Sequence, residues 1–112
     1  MYLSESWRNE IMRIIQELAE MIMEETEGAE HYVTRALEVR EKYPRLADLL
    51  FKLSGEEMQH VTALHDSVTN MIAEYKKDHG EPPADMLAVY NYIHRKQIEK
   101  AAQVKAKQAL YK

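Results

Sequence analysis

Apolar residues recur at alternating steps of three and four along most of this chain, which is the pattern of amphipathic α-helices. Two sets of residues interrupt it. Pro44 disfavours a helical conformation at the residue before it but suits the first turn of a new helix. Gly80 is typical of a helix end, and the two prolines that follow suit the start of the next element. The pattern therefore predicts three helices, at roughly 4–43, 45–79 and 83–110.

The apolar stripe of the first predicted helix contains a single acidic residue. Counted from the tryptophan, the stripe comprises Trp7, Ile11, Ile14, Leu18, Met21, Glu25, Gly28, Tyr32, Arg35 or Ala36, Val39 and Tyr43. Glu24, Glu27 and Glu30 fall off this stripe, so we interpret them as solvent-facing charges. Glu25 is instead expected to point toward the core.

The stripe of the second predicted helix is interrupted by an acid and a histidine. It comprises Leu46, Leu50, Leu53, Glu57, His60, Leu64, Ser67 or Val68, Met71 and Tyr75. Because Glu57 and His60 are three residues apart, both side chains project from one face of the helix. An alternative interpretation makes Ser54 a helix N-cap and Glu57 the residue that reaches back to its amide, which is a structural role.

The third predicted helix has a weaker apolar face, which becomes rich in alanine after Ile93. We expect it either to complete the core or to lie on a neighbouring subunit. The end of the chain is basic: it contains Arg95, Lys96, Lys100, Lys105, Lys107 and Lys112 against Glu99 alone. We interpret this segment as a solvated face, with docking on an acidic partner surface as the alternative.

Composition limits the classes of function. The 112 residues are 46% hydrophobic and 30% charged, with three glycines, as expected of a single all-α domain spanning residues 1–112. The absence of cysteine excludes disulfides and cysteine-ligated metal centres. A formal net charge of −4 argues against nucleic-acid binding. No apolar run or leader pattern suggests a membrane span or export, so a cytoplasmic location is expected.

Carboxylates within an apolar stripe require a specific partner. A buried, unpaired carboxylate is costly, so each is expected to be paired, protonated or bound to a metal ion. Glu25, Glu57 and His60 form half of a dinuclear carboxylate site, which in full uses four helices. The sequence contains no second Glu-x-x-His, so a second chain has to supply the other half. Four carboxylates and two imidazoles would then balance two divalent ions.

The spacing of these residues resembles the first helical hairpin of ferritin-like proteins such as bacterioferritin and rubrerythrin. The resemblance rests on Glu25, on Tyr32 seven residues later, and on Glu57-x-x-His60 within the segment PRLADLLFKLSGEEMQH. Because the chain has only one such hairpin, it is most similar to the encapsulated ferritin-like proteins, whose subunits are half-ferritins. The fold that this resemblance implies is a long antiparallel helical hairpin plus a third helix, with a ferritin-like four-helix bundle completed by dimerisation.

The resemblance also implies a function. Glu25, Glu57 and His60 are expected to bind iron, with two ions at each dimer interface, a bridging role for Glu57 and Tyr32 packed beside the ligands. The implied activity is that of a ferroxidase, which oxidises Fe(II) to Fe(III) with oxygen for iron storage or detoxification. Manganese and zinc are alternative metals. The implied partners are further copies of this chain, in a homodimer or a higher even homo-oligomer, and an encapsulin shell that would enclose the protein in the cytoplasm.

Two other functions are compatible with the same residues. One is a metal-independent dimerisation module, in which the polar side chains form a buried hydrogen-bonded cluster. The other is a di-metal protein that reduces peroxide. The remaining histidines have no partner at ligand spacing, so we interpret them as structural or surface residues: His31, His65, His79 and His94.

Overall fold

The computed structural model describes residues 2–111, with side chains from residue 8 onward, and contains only α-helices and short connections over that range. Helix α1 is Tyr2–Val39, helix α2 is Pro44–His79 and helix α3 is Ala84–Tyr111. The prediction of an all-α fold with three helices is confirmed. Two positions from the sequence analysis, Trp7 and Lys112, lie outside the described side chains.

Helix α1 ends four residues earlier than predicted. Tyr43, with φ −130° and ψ 69°, is not helical, because the ring of Pro44 disfavours a helical conformation at the residue before it. The Tyr43 amide donates to the Val39 carbonyl at 2.7 Å and closes a tight turn. Helix α2 then begins at Pro44 without a side-chain cap and ends at His79, followed by Gly80, whose φ of 81° suits glycine.

The three helices form a rod of 63 × 18 × 17 Å. Helices α1 and α2 form a long hairpin, and α3 returns along it, packing more on α1 than on α2. At the start of α3, Met86 joins the core around Ile11. At its end, the Tyr111 ring stacks on Phe51 at 4.5 Å. Helix α3 therefore completes the core of its own chain, one of the two outcomes expected from the sequence.

The buried line of α1 is displaced by about one residue from the predicted stripe. It consists of Ile11, Ile15, Ala19, Ile22, Thr26, Ala29, Val33, Ala36 and Val39. Glu25, Gly28 and Tyr32 are only half-buried, so the expectation that Glu25 points into the core is wrong for a single chain. The reason is that Thr26 and Ala29 are small enough for α1 and α2 to pack closely, which moves the larger side chains to the flank.

Val68 and Tyr75 of the predicted α2 stripe are buried as expected, but other predicted stripe positions are exposed. Met21 is 47% exposed, Tyr43 52% and Leu46 44%, although all three were assigned to apolar stripes. On α2 the buried positions are Ala47, Ser54, Val68 and Tyr75.

Ser54 lies in the interior of α2 and is fully buried. Its hydroxyl donates to the Ala29 carbonyl at 2.7 Å and accepts from the Gln108 side chain at 2.9 Å. This single hydroxyl links all three helices. The alternative in which Ser54 starts a helix and Glu57 caps it is therefore wrong.

The basic end of the chain binds its own first helix. Lys100 Nζ lies 2.9 Å from Glu30 Oε1, and Lys107 Nζ lies 3.6 Å from Glu30 Oε2. Glu30 was assigned to solvent from the stripe, but its side chain is only 25% exposed. That prediction is wrong because it was made for α1 alone, before the position of α3 was known. None of the helices, over the residues described, has an apolar stretch sufficient to cross a membrane.

Candidate metal centre

The hairpin brings Glu25, Glu57 and His60 together. One potential ligand atom from each lies within 4.8 Å of the others. His60 Nδ1 is 3.4 Å from Glu25 Oε2 and 3.8 Å from Glu57 Oε1. The structure thus places the three residues that the sequence analysis selected in one cluster.

The turn at Pro44 explains why the two glutamates are level. Glu25 lies 14 residues before the end of α1 at Val39 (39 minus 25), and Glu57 lies 13 residues after the start of α2 at Pro44 (57 minus 44). Because both helices rise by about 1.5 Å per residue, equal counts from the turn give nearly equal heights. The three-residue spacing on α2 then brings His60 to the same place.

Gly28 makes room for the Glu57 carboxylate. A Cβ atom at this position would lie 3.3 Å from Glu57 Oε2 and 3.9 Å from Glu57 Cδ. Gly28 lies inside α1 and has no positive φ, so the backbone does not require glycine there. A glycine inside a helix is unfavourable by about 0.5–1 kcal/mol relative to alanine. The benefit of Gly28 is the space beside Glu57.

The two carboxyl groups behave as a pair. The hydrogen bond with Glu57 lowers the pKa of Glu25, and His60 lowers it further. The same hydrogen bond raises the pKa of Glu57, with burial and the charge of Glu25 acting in the same direction. Two carboxylates this close do not ionise independently, and Glu57 is the one that takes up a proton first as pH falls.

In a single chain the cluster is partly open to solvent. The side chains of Glu25, Glu57 and His60 are 32%, 23% and 59% exposed. Glu25 lies five residues before Glu30, which is about 140° around the helix at 100° per residue. Since Glu30 contacts α3, the cluster lies on the flank of the hairpin that α3 leaves uncovered.

Apolar side chains continue along this uncovered flank. We define it by the half-buried or exposed residues Ile14, Leu18, Met21, Glu25, Gly28, Tyr32, Leu53, Glu57, His60, Leu64 and Met71. Tyr32 lies two helical turns after Glu25 on this flank. Among the side chains that the structure describes, none forms a hydrogen bond with its hydroxyl. Its role beside the ligands stays a prediction.

A second pair of ligand-type side chains lies on the other flank of the hairpin. His65 Nε2 is 3.1 Å from His94 Nδ1, and the two rings stack with centroids 4.7 Å apart. The sequence analysis gave neither histidine a partner, and that interpretation is wrong. No spacing rule connects them, because they are 29 residues apart on helices whose register depends on the connection around Gly80.

Comparisons of the chain with protein-family models, with curated proteins and with solved structures gave no match. The residues of the cluster and their geometry are therefore the observations that bear on function.

Proposed function

We propose that this chain is a half-ferritin, which binds iron at Glu25, Glu57 and His60 and oxidises Fe(II) to Fe(III). The supporting observation is that two carboxylates and one imidazole converge to within 4.8 Å on facing helices. Oxygen and nitrogen donors of this kind suit iron, manganese and zinc. Carboxylates, as hard donors, stabilise the ferric product more than the ferrous substrate, which favours oxidation.

The donor set fits a metal ion for a second reason. Space for the Glu57 carboxylate is kept by Gly28, at a position where helix stability favours alanine. A carboxylate that served only to solubilise the surface would gain nothing from this space. The arrangement is that of a side chain held in place for a ligand.

A second copy of the chain would complete the site. One chain offers three donors, which leaves much of the coordination sphere of an iron ion open. The uncovered flank carries the three donors together with apolar side chains such as Leu18 and Met21, so docking two such flanks would bury both. In the resulting dimer, four carboxylates would balance the charge of two divalent ions.

Within such a site the three side chains would have different roles. Glu25, Glu57 and His60 would hold the iron, with the bridging role that the resemblance to ferritin-like proteins implies for Glu57 and terminal roles for the other two. Fe(II) is the substrate. The open positions admit oxygen, and storage or detoxification of iron is the purpose. An encapsulin shell stays a candidate partner for which the fold supplies no further argument.

Anaerobic titration with Fe(II), followed by addition of oxygen, tests the proposal. We expect about one iron bound per chain, that is two per symmetric dimer, and a rise in near-ultraviolet absorbance as ferric product forms. The variants Glu57→Ala and His60→Ala should lose this iron. Glu41→Gln, an exposed glutamate in the turn between α1 and α2, is the matched control and should bind iron normally.

The outcomes separate the competing activities. A wild-type protein that stays free of metal under saturating Fe(II) refutes the iron-binding proposal. Iron binding without oxidation by oxygen, but with rapid oxidation by hydrogen peroxide, indicates the peroxide-reducing alternative. Retention of manganese or zinc in place of iron indicates a di-metal site of another kind.

One observation favours a second candidate, a dimerisation module that needs no metal. Glu25 Oε2 lies 3.4 Å from His60 Nδ1, and the Glu25 and Glu57 carboxyl groups are close enough to shift each other's pKa, so the three side chains interact with one another. Such a cluster can specify how two copies dock. Sedimentation equilibrium in the presence of a strong chelator distinguishes the two: a dimer that persists, and that Glu57→Ala disrupts, supports the second candidate.

A further inference from the structure

The pair formed by His65 and His94 lies away from the proposed iron site. His65 follows His60 by five residues, which places it about 140° around α2, on the flank that faces α3. Both histidines are half-buried between α2 and α3. The Tyr90 ring stacks on His94 at 5.5 Å and an angle of 18°, so the imidazole has a fixed orientation. Neither residue takes part in the function proposed above.

His94 is in the form that binds metals. Burial lowers the pKa of His94, and the proximity of His65 lowers it further, so His94 is neutral near pH 7. In a hydrogen bond between two neutral imidazoles, the proton lies between the two nitrogens. When that proton is carried instead on the other nitrogen of its own ring, both facing nitrogens present lone pairs, which one metal ion can bind.

The distances fit one shared ion. With a metal–nitrogen bond of about 2.05 Å, two nitrogens 3.1 Å apart subtend an angle of roughly 100° at the ion. This angle lies between those of square-planar and tetrahedral coordination. Ring centroids about 3.2 Å from such an ion would be about 4.8 Å apart, and the rings are 4.7 Å apart. The histidines therefore need little movement to bind a cation.

Space and a further donor lie beside the pair. A groove of about 250 Å³ opens next to the histidines and is lined by both, by Met58 and Thr62 on α2 and by Gln97 on α3. Gln97 is only 9% exposed and lines the groove beside the two histidines. It follows His94 by three residues, so it projects from the same face of α3.

We propose that His65 and His94 bind a borderline divalent transition-metal ion of the zinc and copper class, with Gln97 and water completing its coordination. No carboxylate among the described residues joins this pair, in contrast to the cluster at Glu25. Imidazole-rich sites suit zinc and copper, whereas carboxylate-rich sites suit manganese and iron. The ion links α2 to α3, which touch less than any other two helices of the chain. The site is independent of the proposed iron centre.

Zinc titration of the full chain tests this proposal. The measurement is made in a Glu57→Ala background, so that the first cluster does not contribute, with a chromophoric zinc chelator as competitor. We expect one zinc ion per chain, and at least a tenfold loss of affinity in His65→Gln and in His94→Gln. His31→Gln, which removes an exposed histidine on α1, is the matched control and should bind zinc like its parent.

A second measurement does not require the His65→Gln and His94→Gln proteins to fold. Electron paramagnetic resonance of Cu²⁺ added to the Glu57→Ala protein should show two imidazole nitrogens on the ion. The proposal is overturned if the spectrum shows no nitrogen ligand, or if folded His65→Gln and His94→Gln proteins bind zinc as tightly as the parent. Loss of zinc in His31→Gln to the same extent would also overturn it, because binding would then follow histidine content alone. If zinc does not bind at His65 and His94, the result expected of the Fe(II) titration stays the same, so the two proposals can fail separately.

Discussion

Replacement of Gly28 by alanine should raise the stability of the protein and weaken its binding of metal. The two effects have separate origins. The added methyl group improves the helix, because alanine inside a helix is more stable than glycine by about 0.5–1 kcal/mol. The same methyl group would lie 3.3 Å from Glu57 Oε2, so the carboxylate has to move by a few tenths of an ångström.

The cost to metal binding follows from the size of that displacement. Metal–oxygen bonds of about 2.0–2.2 Å tolerate errors of roughly 0.2 Å, so the displaced carboxylate binds in a poorer geometry. We expect a loss of about threefold to tenfold in affinity, and tenfold corresponds to about 1.4 kcal/mol. Stability and affinity should therefore change in opposite directions by similar amounts.

Gly55 provides the matched control. It lies inside α2, has no positive φ, and an added Cβ would meet nothing within 4 Å. Gly55→Ala should raise the free energy of unfolding as much as Gly28→Ala does, and leave metal affinity unchanged.

Two measurements at one fixed protein concentration test the predicted effects of Gly28→Ala on stability and on metal affinity. Urea unfolding in the presence of chelator gives the stability, and competition titration with Fe(II) or Mn²⁺ under anaerobic conditions gives the affinity. If Gly28→Ala binds metal as tightly as the wild type, the reasoning that assigns Gly28 to the Glu57 carboxylate is refuted. Equal losses of affinity in both glycine variants would refute it as well.

Three further predictions concern stability. Ser54→Ala should lower the free energy of unfolding by about 1–2 kcal/mol, since the Gln108 amide loses its acceptor; an unchanged urea midpoint would contradict this. The hydrogen bond from Lys100 holds the pKa of Glu30 below its ordinary value of 4.5. Glu30→Gln should therefore cost about 0.5–1 kcal/mol at neutral pH, and the difference from wild type should vanish as pH falls through the lowered pKa, in urea titrations at several pH values. A metal at 100 times its dissociation constant should add about 2.7 kcal/mol of stability that a chelator removes, and a melting temperature insensitive to chelation would argue against a bound ion.

The three helices and their approximate limits follow from the sequence, because they depend on local chemistry. Pro44 and Gly80 act on the backbone beside them, so the breaks in the chain can be read without knowledge of the packing. Residues that repeat at helical spacing define a face in the same way. Glu25, Glu57 and His60 were selected from their places in the two stripes and from the resemblance to ferritin-like proteins, whereas their equal height follows from the end of α1 at Val39, four residues before the predicted end.

The stripe of α1 was identified with an error of one position, and the cause lies in packing. The predicted stripe was chosen by its large apolar residues. The fully buried positions of α1 instead include small ones such as Thr26 and Ala29. Close approach of two backbones excludes large side chains from the line of contact. Glu25 is therefore at the edge of the core, on the flank that α3 leaves uncovered.

The sequence by itself determined that there are three helices, roughly where they begin and end, and which three residues on two of them carry the candidate metal-binding groups. Only the tertiary structure decided the position of α3, and with it the partners of Glu30, Ser54 and His94. The physical reason is the range of the interactions. Helix ends and spacing depend on neighbours within a few residues, but α3 reaches its partners across gaps of 29 to 73 residues, through contacts that exist only once three helices pack.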